Sequence, residues 1–169
     1  KVMRWGDGDL EYPRPLQWLV VLLGGDVVPV RLGDLKAGRI TRGHRTLVED
    51  RESTVAKPGD YEKVMAVGGV VVDPRDRRRI IEEGFARLLR KHGGAARRLE
   101  DPELLREVVF LCEHPTPFLG RFDDRFLVLP PEVIAAALKV HQRYFAVGST
   151  DGPGLENCFL AVRDGGDEH

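Results

Sequence analysis

The sequence predicts an α+β fold, a mixed and largely antiparallel sheet with helices packed on it. Three observations carry this expectation. Asp73-Pro74 and Asp101-Pro102 each set a capping carboxylate before a proline suited to a helix's first position. Short aliphatic and β-branched runs bounded by glycine recur along the rest of the chain, as strands do. Gly24-Gly25-Asp26 joins two such runs, residues 16–23 and 27–32, in the manner of a hairpin.

At 169 residues the chain suffices for one domain, residues 1–169, with or without a small appendage. It begins at Lys1 inside sequence that reads as ordered, and ends in Gly-Gly-Asp-Glu-His, which reads as a loop or a cut. A fragment excised from a longer chain is therefore expected. Lys and Arg total 26 against 27 Asp and Glu, so nucleic acid would have to be held by a local patch, not by bulk charge. Cys112 and Cys158 form no C-x-x-C pair, which fits a reducing cytoplasm and argues against a disulfide scaffold or structural zinc. The longest apolar run, residues 19–23, is too short to span a bilayer, so no membrane partner is expected.

Taken in order, Met3, Arg4 and Trp5 precede a Gly-Asp-Gly-Asp turn, and Pro13 and Pro15 hold Arg14 in extended backbone. Pro29 makes the second hairpin strand an edge or a bulged one. Lys36, Arg39, Arg42 and Arg45 then recur every third residue, with Thr41 and His44 alongside. Gly38 and Gly43 argue against a helix there. In polyproline-like backbone all four cations would line one edge, roughly 9 Å apart, as a phosphate backbone requires. A solvated loop, or arginines paired to the protein's own acids, fits the same spacing.

Residues 49–57 are polar and read as surface. Pro58-Gly59-Asp60 opens a short helix to about Ala66. The helix from Pro74 runs to about His92, with Ile80, Ile81, Phe85, Leu88 and Leu89 on one face. Arg75 and Arg77-Arg78-Arg79 near its start read as a solvated or salt-bridged face. Gly93-Gly94 ends it. A strand at 95–99 precedes the helix from Pro102 to about Cys112; a strand is entered at 118–120, and a tight polar loop at 121–125 leads to 126–129 and the last helix.

Pro131 and Glu132 open a last helix whose stripe is Val133, Ile134, Ala137, Leu138 and His141. It runs into His141-Gln142-Arg143-Tyr144-Phe145, a polar and aromatic cluster suited either to core or to reading a ligand. Residues 141–147 are expected as a strand, turning at 148–154 to pair with 157–162.

No Walker loop, dinucleotide fingerprint, H-E-x-x-H or nucleophile elbow occurs. Cys112-Glu113-His114 lacks the spacing of a metal site, and Cys112 falls on an apolar face with no electropositive neighbour in view. Asp123 and Asp124 read as turn formers rather than a catalytic pair. No catalytic or metal-binding residue is expected.

Several motifs resemble one family. They are Trp5-Gly6, Arg14-Pro15-x-x-Trp18-Leu19-Val20 and Lys36-Ala37-Gly38-Arg39-x-Thr41-Arg42-Gly43-His44-Arg45, followed by Leu119-Gly120-x-Phe122-Asp123. Phe126-Leu127-x-Leu129-Pro130-Pro131-Glu132-Val133 and His141-Gln142-Arg143-Tyr144-Phe145 complete the set. Together they resemble the β subunit of bacterial heterotetrameric glycyl-tRNA synthetase. The chain departs from the family at Glu113-His114-Pro115, where a tryptophan is usual, and at Arg163-Asp164-Gly165, where Arg-Asn-Gly is expected.

The resemblance implies a segment of a glycine–tRNA ligase, which joins glycine to tRNA(Gly) with ATP and Mg. Glycine activation belongs to the α subunit, so no cofactor is expected in this segment. The implied partners are tRNA(Gly), the α subunit and the remainder of the β subunit. The residues expected to hold tRNA or a partner are Lys36, Arg39, Arg42, His44, Arg45, His141, Gln142, Arg143 and Tyr144, with bases stacking on Tyr144 or Phe145. A more distant resemblance, to the editing-type module of the phenylalanyl-tRNA synthetase β subunit, implies instead a deacylation site with His44 or His141 positioning water. A purely structural scaffold is the third alternative.

Overall fold

A computed structural model of the chain describes residues 2–4, 11–12, 16–92, 96–149 and 152–166. Trp5, Arg14 and Gly93-Gly94 lie outside them. The fold is α+β, built from largely antiparallel pairings and helices, and the chain divides into two compact units, 1–70 and 71–169.

The first unit is made of short strands. β1 (Met3–Arg4) pairs with β2 (Glu11–Tyr12), and β3 (Leu19–Val20) leads to β4 (Leu22–Leu23). β4 forms the expected hairpin with β5 (Asp26–Val27) around Gly24, whose φ of +59° is the left-handed region that glycine enters freely. Pro29 falls between β5 and β6 (Arg31–Leu32), where no ladder donor is needed.

A second hairpin, β6 with β7 (Leu35–Gly38), turns at Gly33-Asp34, again with a left-handed glycine. β7 also runs parallel to β3. β8 (Ile40–Arg42) pairs with β9 (Glu52–Thr54), a strand in a stretch read from sequence as plain surface. A 3-10 turn at Pro58–Asp60 leads into α1 (Tyr61–Val67). The expected polyproline-like run is thus corrected: residues 35–38 and 40–42 are two short strands, because β7 finds ladder partners in β3 and β6, and β8 finds one in β9.

The second unit carries the main core. α2 (Pro74–Lys91) and α3 (Pro102–Leu111) start where the Asp-Pro pairs predict; Asp73 accepts from the Arg75 N–H and Asp101 from the Leu104 N–H, at 2.7 and 2.9 Å. β10 (Ala96–Arg98) lies between them in sequence. Then come β11 (Pro115–Arg121), a 3-10 turn at Asp124–Val128 and α4 (Pro131–Ala137), which continues as a π-turn over Leu138–Gln142. β12 (Phe145–Ser149) and β13 (Leu155–Asp164) complete an antiparallel sheet in the order β10-β12-β13-β11. Pro115 and Pro117 are tolerated because β11 is an edge.

The expected strand at 141–147 begins only at Phe145. Residues up to Gln142 stay helical, and Arg143 reverses the chain.

Register sorts the sheet into two faces. Phe145, Val147, Cys158 and Leu160 join Ile81, Phe85, Leu104, Leu105, Val108 and Val109 in one buried cluster, so α2 and α3 cover that face. Phe85 meets Phe145 edge-on at 5.1 Å, and Gly84 admits Pro117, which would lie 2.6 Å from any added Cβ. Phe118, Gly120, Ala146, Phe159 and Ala161 pair with one another across the strands, so they share the opposite face.

Candidate nucleic-acid interface

The basic run lies in the first unit. Arg39 donates to the carbonyl oxygens of Gly25 and Ala56, at 3.0 and 3.4 Å, and so ties the β4–β5 turn to the end of β9. Arg42 forms an ion pair with Glu52 at 3.0 Å and lies 5.4 Å over the Trp18 ring. Trp18 in turn lines a cleft of about 470 Å³ together with Leu22, Thr41, Val55, Pro58 and Tyr61.

His44 is only 3 % exposed; its N–H donates to the Gly68 oxygen at 2.7 Å, and Nδ1 accepts from the Thr46 N–H. Gly43 permits this contact, since a Cβ there would fall 2.6 Å from the Gly68 carbonyl oxygen. Lys36 and Arg45 are exposed. The four cations therefore do not form one row. A strand repeats every two residues, so a period of three scatters its members. Arg39 and Arg42 hold the fold, and His44 sits inside it.

The second run lies in the other unit. His141 and Gln142 are exposed at the end of the π-turn. Arg143 has φ 59° and ψ 33°, the one described non-glycine residue with positive φ. Its Nε donates to Glu107 at 2.6 Å, and Nη1 donates to the carbonyl oxygens of Lys139, at 3.1 Å, and Val140. Lys139 pairs with Asp101 at 2.6 Å. Burial pushes the Asp101 carboxyl upward, but the Lys139 hydrogen bond, the Leu104 N–H and the Lys139 charge together hold it below its ordinary value. The same hydrogen bond raises Lys139.

Immediately after this reversal, Tyr144 lies parallel to Phe159, with centroids 4.4 Å apart and planes within 1°. Phe118 meets both rings edge-on, at 6.5 and 6.4 Å, and the Arg163 guanidinium stands 5.8 Å from the Phe118 ring. Phe159 fills the space where Gly120 has no side chain, a Cβ there being 2.3 Å from its ring. All three rings are partly exposed. Phe145, the other residue expected to stack, is buried at 2 % on the helix-covered face, where a base cannot reach it.

Other candidate chemistry is quiet. Burial pushes the Cys112 thiol up to about 11, so it stays protonated at neutral pH, and burial raises Cys158 too. Asp123 caps the 3-10 turn by accepting from the Arg125 N–H, as a turn former does. Among the described residues no group of three His, Cys, Asp or Glu is placed to hold a metal.

A family profile described as "Glycyl-tRNA synthetase beta subunit" matches residues 1–169. The chain belongs to the glycyl-tRNA synthetase β-subunit family. It is similar to the glycine–tRNA ligase β subunits of Oceanobacillus iheyensis, 40 % identical over 169 residues, and Myxococcus xanthus, 45 % over 162 residues. That of Lactobacillus gasseri is 41 % identical over 167 residues. These alignments cover 100, 96 and 99 % of this chain but 24, 22 and 24 % of the respective relatives, so the chain spans about a quarter of their length.

Within this family member, Phe118, Phe159, Arg163 and Glu107 join the site although no local motif marks them as functional. The alternation of Phe159 and Ala161 with Cys158 and Leu160 is the signal for two faces, and Gly120 marks the gap that Phe159 fills. Which strand lies beside which is decided far along the chain.

Proposed function

We propose that this chain is the part of a glycine–tRNA ligase β subunit that contacts tRNA, while ATP-dependent glycine activation, with its Mg, takes place on the α subunit in the cytoplasm. The observation that carries the proposal is the Tyr144 ring lying flat on Phe159, on the sheet face opposite α2 and α3. Stacked, partly exposed rings accept unpaired bases whatever their sequence, and Arg163 beside Phe118 supplies a cation for the backbone. His141, Gln142, Lys36 and Arg45 are the exposed members of the expected set and contact RNA directly. Arg39, Arg42 and His44 act through the fold. The net charge of −1 leaves phosphate binding to such local groups.

A salt titration of the chain against tRNA(Gly) tests this. The account expects binding whose logarithm falls linearly with the logarithm of salt concentration, and a shallower slope for Lys36→Ala or Arg45→Ala. No binding at low salt would overturn it. The deacylation reading, the finer likeness to the phenylalanyl enzyme's module, falls on His141, the exposed one of its two histidines. A mischarged tRNA that survives equally with and without the chain removes that reading.

Assembly is a second role, supported by a separate observation. Val128, Val133 and Val140 are 86, 51 and 57 % exposed, and Phe126, Leu127 and Leu129 beside them are exposed as well. A helix apolar on nearly every side belongs inside a larger protein. We place a protein surface, the α subunit or other β-subunit sequence, against this stripe. Val133→Asp with Val140→Asp should abolish α-subunit capture while leaving tRNA affinity within about twofold; undiminished capture assigns the stripe elsewhere.

A further inference from the structure

The turn that delivers Tyr144 is built at a conformational cost. Left-handed backbone is unfavourable for any residue with a side chain, and arginine is not among the types that tolerate it best. Arg143 adopts it nonetheless, and its own guanidinium donates to the carbonyls of Lys139 and Val140 at the end of the helix. α3 holds that guanidinium through Glu107 and anchors the start of the same π-turn through Asp101 and Lys139. Two acids six residues apart, at the N-cap and in the body of α3, thus clamp two cations four residues apart, in the π-turn and at its C-terminal cap. Directly after the clamp the Tyr144 N–H donates to the Leu138 oxygen at 3.0 Å, and its ring lands on Phe159.

We infer that Glu107 and Arg143 form a latch that positions Tyr144 as the landing face for an unpaired base of RNA, Arg143 being a positioning residue and not a phosphate ligand. This rests on the tRNA-binding reading above and deepens it. Arg143's Nε and Nη1 are committed to Glu107 and to two carbonyls, so a phosphate could take those donors only by dismantling the turn. Glu107, an exposed acid on α3, becomes essential to the orientation of the Tyr144 ring. The chemistry recognised is a flat heterocycle on a single-stranded end or loop, not the edge of a paired base.

The sign of one mutation separates this from a charge effect. Removing an acid beside RNA tightens binding on purely electrostatic grounds. The latch demands the opposite: Glu107→Gln weakens it. The measurement uses the whole chain with a hairpin RNA whose short single-stranded end carries 2-aminopurine, and the blunt hairpin as reference. Wild type should quench the fluorophore and prefer the overhanging RNA. Glu107→Gln should lose the quench and several-fold of affinity, and Arg143→Met should do the same with an unchanged salt slope. Thermal unfolding of each variant shows that the fold persists. Unchanged or tighter binding by Glu107→Gln overturns the latch, as does a slope that falls by about one for Arg143→Met, the mark of a lost phosphate contact. Binding by wild type without quenching removes the base-stacking site and leaves the tRNA reading standing; no binding of either RNA removes both.

Discussion

At the scale of the residue, the glycines of the basic run matter for closeness more than for freedom. Gly43 faces Gly68 backbone to backbone, whereas Gly38 has open space where a side chain would go. The two positions look alike in sequence and should behave differently. Gly43→Ala must push two backbones apart and is expected to cost about 1–3 kcal/mol. Gly38→Ala should stay within about 0.5 kcal/mol of wild type, since nothing lies within 4 Å of an added Cβ there. Urea unfolding of both variants checks the contrast, and equal costs would contradict it. His44 belongs to the same contact. Its ring and N–H are committed to Thr46 and Gly68, which is why a histidine beside three arginines contributes to the fold and not to a surface.

Among elements, α3 joins the core to the candidate interface: Leu104, Leu105, Val108 and Val109 face inward while Asp101 and Glu107 reach the π-turn. The Asp101–Lys139 pair has a pH signature. An acid whose pKa falls on folding adds stability above its unfolded pKa and loses it as pH drops through the folded one. A base whose pKa rises on folding adds stability below its unfolded pKa and loses it as pH climbs through the folded one. With Asp101 lowered and Lys139 raised, the pair contributes from about pH 4 to about pH 10. Asp101→Asn keeps an N-cap and removes the charge. Its deficit against wild type in urea unfolding should hold steady between about pH 5 and pH 9 and shrink as pH falls below about 4; a deficit that does not shrink in acid would contradict this.

The helices α2 and α3 were legible because their signals are local: a capping aspartate, a proline and a periodic apolar face. The β4–β5 turn was legible for the same reason. The β6–β7 turn at Gly33-Asp34 was masked by the three-residue rhythm of the cations, which strands do not respect. The aromatic face was not legible. It needs β11 beside β13, and nothing local in either strand announces the other. Nor does Arg143 announce its left-handed turn, since the group that holds it, Glu107, lies 36 residues earlier.

For the molecule as a whole, the division of labour follows from where exposed chemistry falls. One sheet face of the second unit is closed by α2 and α3, and the other carries three partly exposed rings with an arginine. The stripe through Val128, Val133 and Val140 offers apolar surface to protein. The first unit spends Arg39 and Arg42 on itself. Nothing in this arrangement depends on net charge, so affinity for RNA should rest on a few contacts and weaken when any one of them is removed. Family membership gives the arrangement its setting, a β subunit of which the matched stretch is about a quarter.

The most direct test of the account is the affinity of the chain for tRNA(Gly) when Tyr144 alone is changed, at one fixed salt concentration. Tyr144→Phe keeps the flat ring and should bind within about twofold of wild type. Tyr144→Leu keeps bulk but not the ring, and should lose roughly five- to hundredfold, the worth of one stacked base. Equal binding by wild type, Phe and Leu variants would contradict the account at its centre.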